Sequence, residues 1–357
     1  MRFNPDPFNF TAAGFMTKPD IKKLLEQRIL ILDGAMGTMI QRHRLDEDDF
    51  RNESLKNHSK SLRGNNDLLS ITRPEIIKEI HAQYFDAGAD IIETNTFSST
   101  VIAQEDYGCQ HLVHKLNYQS AKIAREVADE YTMRNPSKPR FVAGSIGPTN
   151  KTASISPNVN DPGFRAITFD QLKEAFKQQM QALQNGGVDL FLIETVIDTL
   201  NAKAALMAAF ELRDETGVDL PVMLSGTITD ASGRTLSGQT TEAFLISVSH
   251  FPILSIGINC ALGAKNMLPY VKELSRKSET FISVYPNAGL PNEMGEYDET
   301  PRTMAEQLKE FLDLGLVNIV GGCCGTAPEH IRAIADLAAN YSPRQFVSTE
   351  VSFNELL

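Results

Sequence analysis

Three cysteines are the residues best able to do chemistry. Cys323 and Cys324 are neighbours in Gly321-Gly322-Cys323-Cys324-Gly325-Thr326, and Cys260 sits in Gly257-Ile258-Asn259-Cys260-Ala261-Leu262-Gly263. Adjacent thiols in a glycine-rich loop can close a vicinal disulfide, fill space as small buried groups, or bind a soft metal. The disulfide requires an eight-membered ring and a strained peptide, and packing would favour larger side chains. Two thiolates suit Zn²⁺ but are too few ligands, so the chain must supply a third, and Cys260 can be it. Three protein ligands leave a tetrahedral position open, which marks a working ion rather than a structural one. The fourth cysteine, Cys109, lies in the polar segment Asp106-Tyr107-Gly108-Cys109-Gln110 and reads as an ordinary thiol. The seven histidines fall mostly on helices or polar loops, and none is expected to bind the metal.

Both thiol segments follow apolar runs, Val317-Asn318-Ile319-Val320 and Ile253-Leu254-Ser255-Ile256-Gly257-Ile258. Helical patterns come next. Thr326-Ala327-Pro328-Glu329 reads as a Thr-x-x-Glu capping box with proline in the first turn, ahead of Ile331, Ile334, Ala335 and Ala338. Met267, Val271 and Leu274 follow Cys260 at the same kind of spacing. If both runs are strands of one parallel sheet, the three sulfurs meet at one rim.

The same grammar recurs along the chain. Ala87-Gly88-Ala89-Asp90, Gly186-Gly187-Val188-Asp189, Thr216-Gly217-Val218-Asp219 and Leu314-Gly315-Leu316-Val317-Asn318 each end a helix on glycine and return to a strand. Further apolar runs start near Ile29, Ile91, Phe141, Leu190, Val222 and Phe281, which brings the count to eight strand–helix units. That predicts a single-domain (β/α)₈ TIM barrel over residues 21–342, with an N-terminal extension at 1–20 and a C-terminal tail or linker at 343–357. A doubly wound sheet would want a glycine-rich dinucleotide loop, and Gly34-Ala35-Met36-Gly37 resembles only half of one. The expected strand ends carry Asp33, Glu93 with Asn95, Ser145, Glu194, Ser225 with Thr227, Asn259 with Cys260, Asn287, and Cys323 with Cys324. In a barrel these ends ring one mouth. Thiolates, carboxylates and amides together suit a metal and a small zwitterion.

Composition narrows the classes. The chain has 357 residues, 42% of them hydrophobic, and a formal charge of -11. No basic patch invites nucleic acid, and no apolar run approaches the roughly 18 residues of a membrane span. Residues 1–20 lack the apolar core of a signal peptide. Four cysteines with two adjacent do not form a disulfide framework, so a reducing cytoplasm is the expected location.

The motifs Leu32-Asp33-Gly34-Ala35-Met36-Gly37-Thr38, Cys260 and Gly321-Gly322-Cys323-Cys324-Gly325-Thr326 resemble the homocysteine S-methyltransferase family. Arg63-Gly64-Asn65-Asn66-Asp67, Glu93-Thr94-Asn95-Thr96-Phe97, Gly147-Pro148-Thr149-Asn150-Lys151-Thr152 and Tyr285-Pro286-Asn287-Ala288-Gly289-Leu290-Pro291 are similar to its cobalamin-linked branch, the homocysteine-binding modules of cobalamin-dependent methionine synthases. The likeness runs from about Ile29 to Leu337. It implies that Cys260, Cys323 and Cys324 bind Zn²⁺ and that homocysteine sulfur takes the open position, deprotonated and able to attack a methyl group. It further implies that Asp33 and Glu194 contact the substrate amino group, and that backbone near Gly34 receives its carboxylate. Asn287 would occupy the fourth zinc position when substrate is absent, and Glu93 and Asn95 complete the expected substrate-binding set.

The implied donor is methylcobalamin on a separate module or chain that also binds methyltetrahydrofolate, and the product is methionine. No Asp-x-His-x-x-Gly cobalamin-ligand segment and no second barrel occur in these residues. An excised module or a separately encoded chain is expected, meeting its partner in trans. Two other readings stand beside this one. A stand-alone homocysteine methyltransferase would use S-methylmethionine or betaine, and a non-enzyme would bind zinc or sense redox state through its vicinal thiols.

Overall fold

The computed structural model describes residues 20–346, Ala231 and Glu296 excepted. Its centre is an eight-stranded parallel sheet. The strands are β1 (Leu30–Ile31), β2 (Ile91–Glu93), β3 (Phe141–Ile146), β4 (Leu190–Val196), β5 (Val222–Gly226), β6 (Ser255–Gly263), β7 (Phe281–Asn287) and β8 (Ile319–Val320). Neighbours follow the order β1-β8-β7-β6-β5-β4-β3-β2. A parallel bridge between Leu32 and Ile91 joins the two ends of that order. Hydrogen bonds from Asp33 N to Ile91 O (3.0 Å) and from Asp90 N to Ile31 O (2.7 Å) secure it. The sheet is therefore a barrel without an open edge, as the eight repeats predict.

Side-chain alternation explains how one strand serves two layers. Leu30, Leu190, Leu192, Met223, Phe281 and Ile319 belong to the buried cluster inside the barrel, while their chain neighbours pack outward against the helices. The glycines of the repeated grammar are required by conformation: Gly88, Gly187, Gly217 and Gly315 all have positive φ. The acid or amide that follows has a structural task at the bottom of the barrel. Asp90 accepts the N–H of Ile31, Asp189 that of Val142, and Asn318 that of Ile282. Each ties the start of one strand to its neighbour and fixes the register that brings the opposite ends level. Arg28 adds a bidentate pair to Asp90 at 2.8 and 2.9 Å. Beyond the last helix the chain stays packed, and Arg344 is buried with its guanidinium on Ser275 O and Ser278 O.

Cys260 lies near the end of its strand, and β6 continues to Gly263 through a register shift against β7 between Asn259 and Gly263. One local expectation is corrected. The last helix, Pro328–Ala338, is not capped by Thr326 and Glu329. Thr326 Oγ1 donates to Cys323 O (2.6 Å) and closes the cysteine loop instead. Ala327 becomes the cap residue, its N–H bonded to His330 Nδ1 (3.2 Å), and Glu329 pairs with Arg42 (2.8 Å). No helix among the described residues is long and apolar enough to cross a membrane.

Candidate active site

Cys260 on β6 and Cys323 and Cys324 after β8 converge at the C-terminal end of the barrel. Their Sγ atoms all lie within 4.8 Å of one another, and Cys260 Sγ and Cys324 Sγ are 3.8 Å apart. Sulfurs about 2.3 Å from a tetrahedral ion are separated by about 3.8 Å, so the spacing fits a thiolate-bound metal. Cys109 is elsewhere, buried, with its Sγ toward Tyr107 O.

Backbone geometry that most residues avoid holds the sulfurs there. Cys260 and Ala261 have φ of 58° and 57°, consecutive left-handed residues at the β6 bulge. Each such residue costs on the order of 1–3 kcal/mol and persists only where its surroundings over-determine it. On the other side, a Cβ on Gly322 would meet Thr326 Oγ1 at 2.5 Å, so only glycine lets the loop pass. Asn287 Oδ1 accepts the Cys324 N–H (3.1 Å), which fixes the second thiol's backbone.

Three crowded thiols cannot all ionise unaided. Hydrogen bonds from Cys260 and Cys323 hold Cys324 below the usual thiol range. The same contacts, with burial, push Cys323 well up. Cys260 is drawn down by its Cys323 contact, yet the Cys324 contact and burial leave it raised. A divalent cation is what lets all three thiol protons leave. The donor set, its spacing and its charge all fit a soft metal ion.

Beside the sulfurs is a cavity of about 300 Å³, lined by Asp33, Gly34, Glu93, Glu194, Tyr285 and the three cysteines among others. That is the small end of ligand sites. Four carboxyls share this space: Asp33, Asp67 and Glu194 are buried and Glu93 is half-buried. Asp67, raised to about 6 by burial, accepts hydrogen bonds from Ser98 N (2.7 Å) and Ser99 Oγ (2.8 Å). Glu194 is raised to about 7 by burial, against hydrogen bonds from Ser145 and Glu93 that pull it down. Glu93 is raised well above its ordinary value by burial and then by the Glu194 charge. Asp33 is raised by burial too, although the Glu93 N–H bonded to its Oδ2 (3.1 Å) opposes the shift. Asp33 Oδ1 is buried with no partner. No Lys, Arg or His is among the lining residues. Carboxyls gathered without a cation make a place for a positively charged ligand group.

Gly34 is fixed by close approach: a Cβ there would meet Thr326 Oγ1 at 2.7 Å and Tyr84 Cε1 at 2.9 Å. Tyr84 in turn bonds Ala35 O (3.1 Å) and Thr326 O (3.3 Å), locking the β1 loop to the cysteine loop. Of the residues anticipated from sequence, Asp33, Gly34, Glu93, Asn95 and Glu194 line the cavity with the three thiols. Asn95 uses its amide nitrogen on Asn66 O (2.8 Å) and Ser70 Oγ (3.2 Å), tying a lining segment to β2. Asn287 is not among the lining residues and sits 1% exposed beneath the cysteine loop.

Sequence reasoning missed two tyrosines. Tyr285 points into the barrel among Glu194, Glu93 and Cys323, and its place two residues before Asn287 on β7 could have flagged it. Tyr297 reaches the Cys324 sulfur from the loop after β7, a contact no local spacing announces.

The sequence model of the homocysteine S-methyltransferase family matches residues 30–338. Among solved structures, the metallated form of the homocysteine methyltransferase MmuM from Escherichia coli aligns with a TM-score of 0.68 at 24% identity, covering 88% of this chain and 98% of that one. The oxidized form of the same protein gives 0.68 at 23%, covering 88% and 97%. Its apo form gives 0.63 at 22%, with the same coverage. These structural likenesses establish a shared fold.

Proposed function

The chain belongs to the homocysteine S-methyltransferase family and is a methyltransferase, and from that premise we propose that it activates homocysteine on a zinc ion for methyl transfer from methylcobalamin, giving methionine. The observation that carries the reading is the union, in one small cavity, of three sulfurs at metal-binding distances with the carboxyls of Asp33, Asp67, Glu93 and Glu194 and no Lys, Arg or His. Zinc bound by Cys260, Cys323 and Cys324 would supply Lewis acidity, keeping a substrate thiol deprotonated and nucleophilic near neutral pH.

The chain's own groups divide the remaining work. Asp33 and Glu194 accept hydrogen bonds from the substrate ammonium, with Glu93 sharing the Glu194 proton until a cation replaces it. Backbone at Gly34 receives the carboxylate, held in place by Tyr84 and Thr326. A zwitterion anchored at both charged ends has only its side chain free, and the thiol triad borders the same cavity. Asn287 keeps Cys324 in position through its backbone N–H.

A donor carried by another module or chain is supported by the mouth itself. Phe97, Leu290 and Met294, on loops that follow β2 and β7, are 40%, 56% and 86% exposed. Large apolar side chains left in water around a site mark a surface that meets a partner. A small onium donor such as S-methylmethionine or betaine would need no such rim. Turnover with each donor tests this: methylcobalamin should support methionine formation, and activity with S-methylmethionine or betaine alone would overturn the assignment of the donor.

A further inference from the structure

Asn259 lies between the two halves of the thiol site and is fully buried. Its Oδ1 accepts the Thr195 N–H (3.0 Å) and the Ser225 hydroxyl (2.7 Å). Its Nδ2 donates to Thr195 Oγ1 (2.9 Å) and faces Cys323 Sγ at 3.9 Å. An amide offers two acceptor lone pairs and two donor hydrogens, and here all four are used. That fixes its orientation, because a flipped amide would set N–H against the Thr195 N–H and oxygen against sulfur. One side chain thus joins the ends of β4, β5 and β6 to the loop after β8. The two strained residues beside it are the ones it touches: Thr195, at φ 54°, through two hydrogen bonds, and Cys260, at φ 58°, as its chain neighbour.

We propose that Asn259 is the positioning residue of the metal centre, clamping the strained backbone that aims Cys260 and directing an N–H at the Cys323 sulfur. The inference rests on the reading of the thiol triad as a metal site. An N–H donor on a ligand sulfur draws off part of its charge, which matters where several thiolates crowd one divalent ion. Outer contacts of this kind typically change metal affinity by about 10–100-fold. Asparagine is suited because the clamp needs an acceptor on one side and a donor on the other. Aspartate keeps the shape and the acceptors and loses the donor.

The test compares zinc affinity, by competition with a chelator, for the wild type, Asn259→Asp and Ser225→Ala. Asn259→Asp should bind zinc about 10–100-fold more weakly while its metal-free form keeps the wild-type circular dichroism at a temperature well below its lowered melting point, since the buried Thr195 contact is lost as well. Ser225→Ala, which leaves the N–H toward Cys323 in place, should stay within about threefold of wild type. In wild-type protein loaded with NMR-active cadmium, one labelled asparagine side-chain N–H should show scalar coupling to the metal, a readout that needs no variant to fold. Equal zinc binding by Asn259→Asp overturns the proposal, as does an equal loss in Ser225→Ala or the absence of that coupling. A wild type that binds neither zinc nor cadmium through three thiolates overturns the metal reading itself, before any variant is compared.

Discussion

Cys260 Sγ and Cys324 Sγ stand 3.8 Å apart although 64 residues separate them in the chain. Barrel closure and strand register create that proximity, with no disulfide among the cysteines. The site is therefore built by the fold, and the fold does not depend on the site. The apolar clusters inside and outside the barrel contain none of the three thiols as buried members.

Removing one thiol follows directly. Cys260→Ala is expected to lose bound metal and all methyl transfer while keeping its secondary structure, with a change in stability of the metal-free form of no more than about 1 kcal/mol, since no large buried group is deleted. Metal analysis and thermal unfolding check this. Global unfolding of the variant would make the metal structural.

Glu194 gives a pH dependence whose sign can be worked out. Its pKa is raised to about 7 in the fold, so the protonated form is favoured there. Its contribution to stability is full below the unfolded value of about 4.3 and is lost as pH rises through about 7. Asp33 and Glu93 shift in the same direction. Glu194→Gln should therefore stabilise the metal-free, ligand-free protein near pH 8 by on the order of 3–4 kcal/mol, read from urea unfolding.

The same proton opposes binding of an ammonium group. L-Methionine, which has no thiol to titrate, should bind more tightly with rising pH, by about tenfold per unit below pH 7 for one proton released, and level off above it. Glu194→Gln should bind it weakly and without that slope. A flat wild-type profile by calorimetry would remove Glu194 from the amino-group site.

Gly34→Ala tests the β1 loop. The added methyl would lie 2.7 Å from Thr326 Oγ1 and 2.9 Å from Tyr84 Cε1, so the loop or its neighbours must move. A loss of about 1–3 kcal/mol in stability is expected, together with a raised KM for homocysteine. Unchanged KM would place the carboxylate site elsewhere.

Much of this was legible in the sequence because it is local. Glycine followed by Asp90, Asp189 or Asn318 marks a helix end and a strand start, and those signals count out the barrel. A parallel barrel then puts every strand end on one rim, which is why Asp33, Glu93, Glu194 and the thiols could be named together. Thr326 misled because a Thr-x-x-Glu spacing is satisfied locally, whereas the hydroxyl answers to Cys323 O, which needs it more. Asn259 and Tyr297 act through partners 64 and 27 positions away (Cys323 and Cys324), distances at which spacing carries no information.

The rim gives a prediction about the donor. Exchanging Leu290 and Met294, both exposed on the loop after β7 and outside the cavity lining, for serine should raise the KM for a methylcobalamin-carrying module while leaving turnover with free methylcobalamin nearly unchanged. An equal effect on both donors would mean that these side chains act on the cavity and not on a partner.

The most direct measurement is zinc-edge X-ray absorption on the zinc-loaded protein, with and without homocysteine. Three sulfurs and one lighter ligand should give way to four sulfurs on adding the substrate. An unchanged sulfur count in the presence of bound homocysteine would contradict activation of its thiol at Cys260, Cys323 and Cys324.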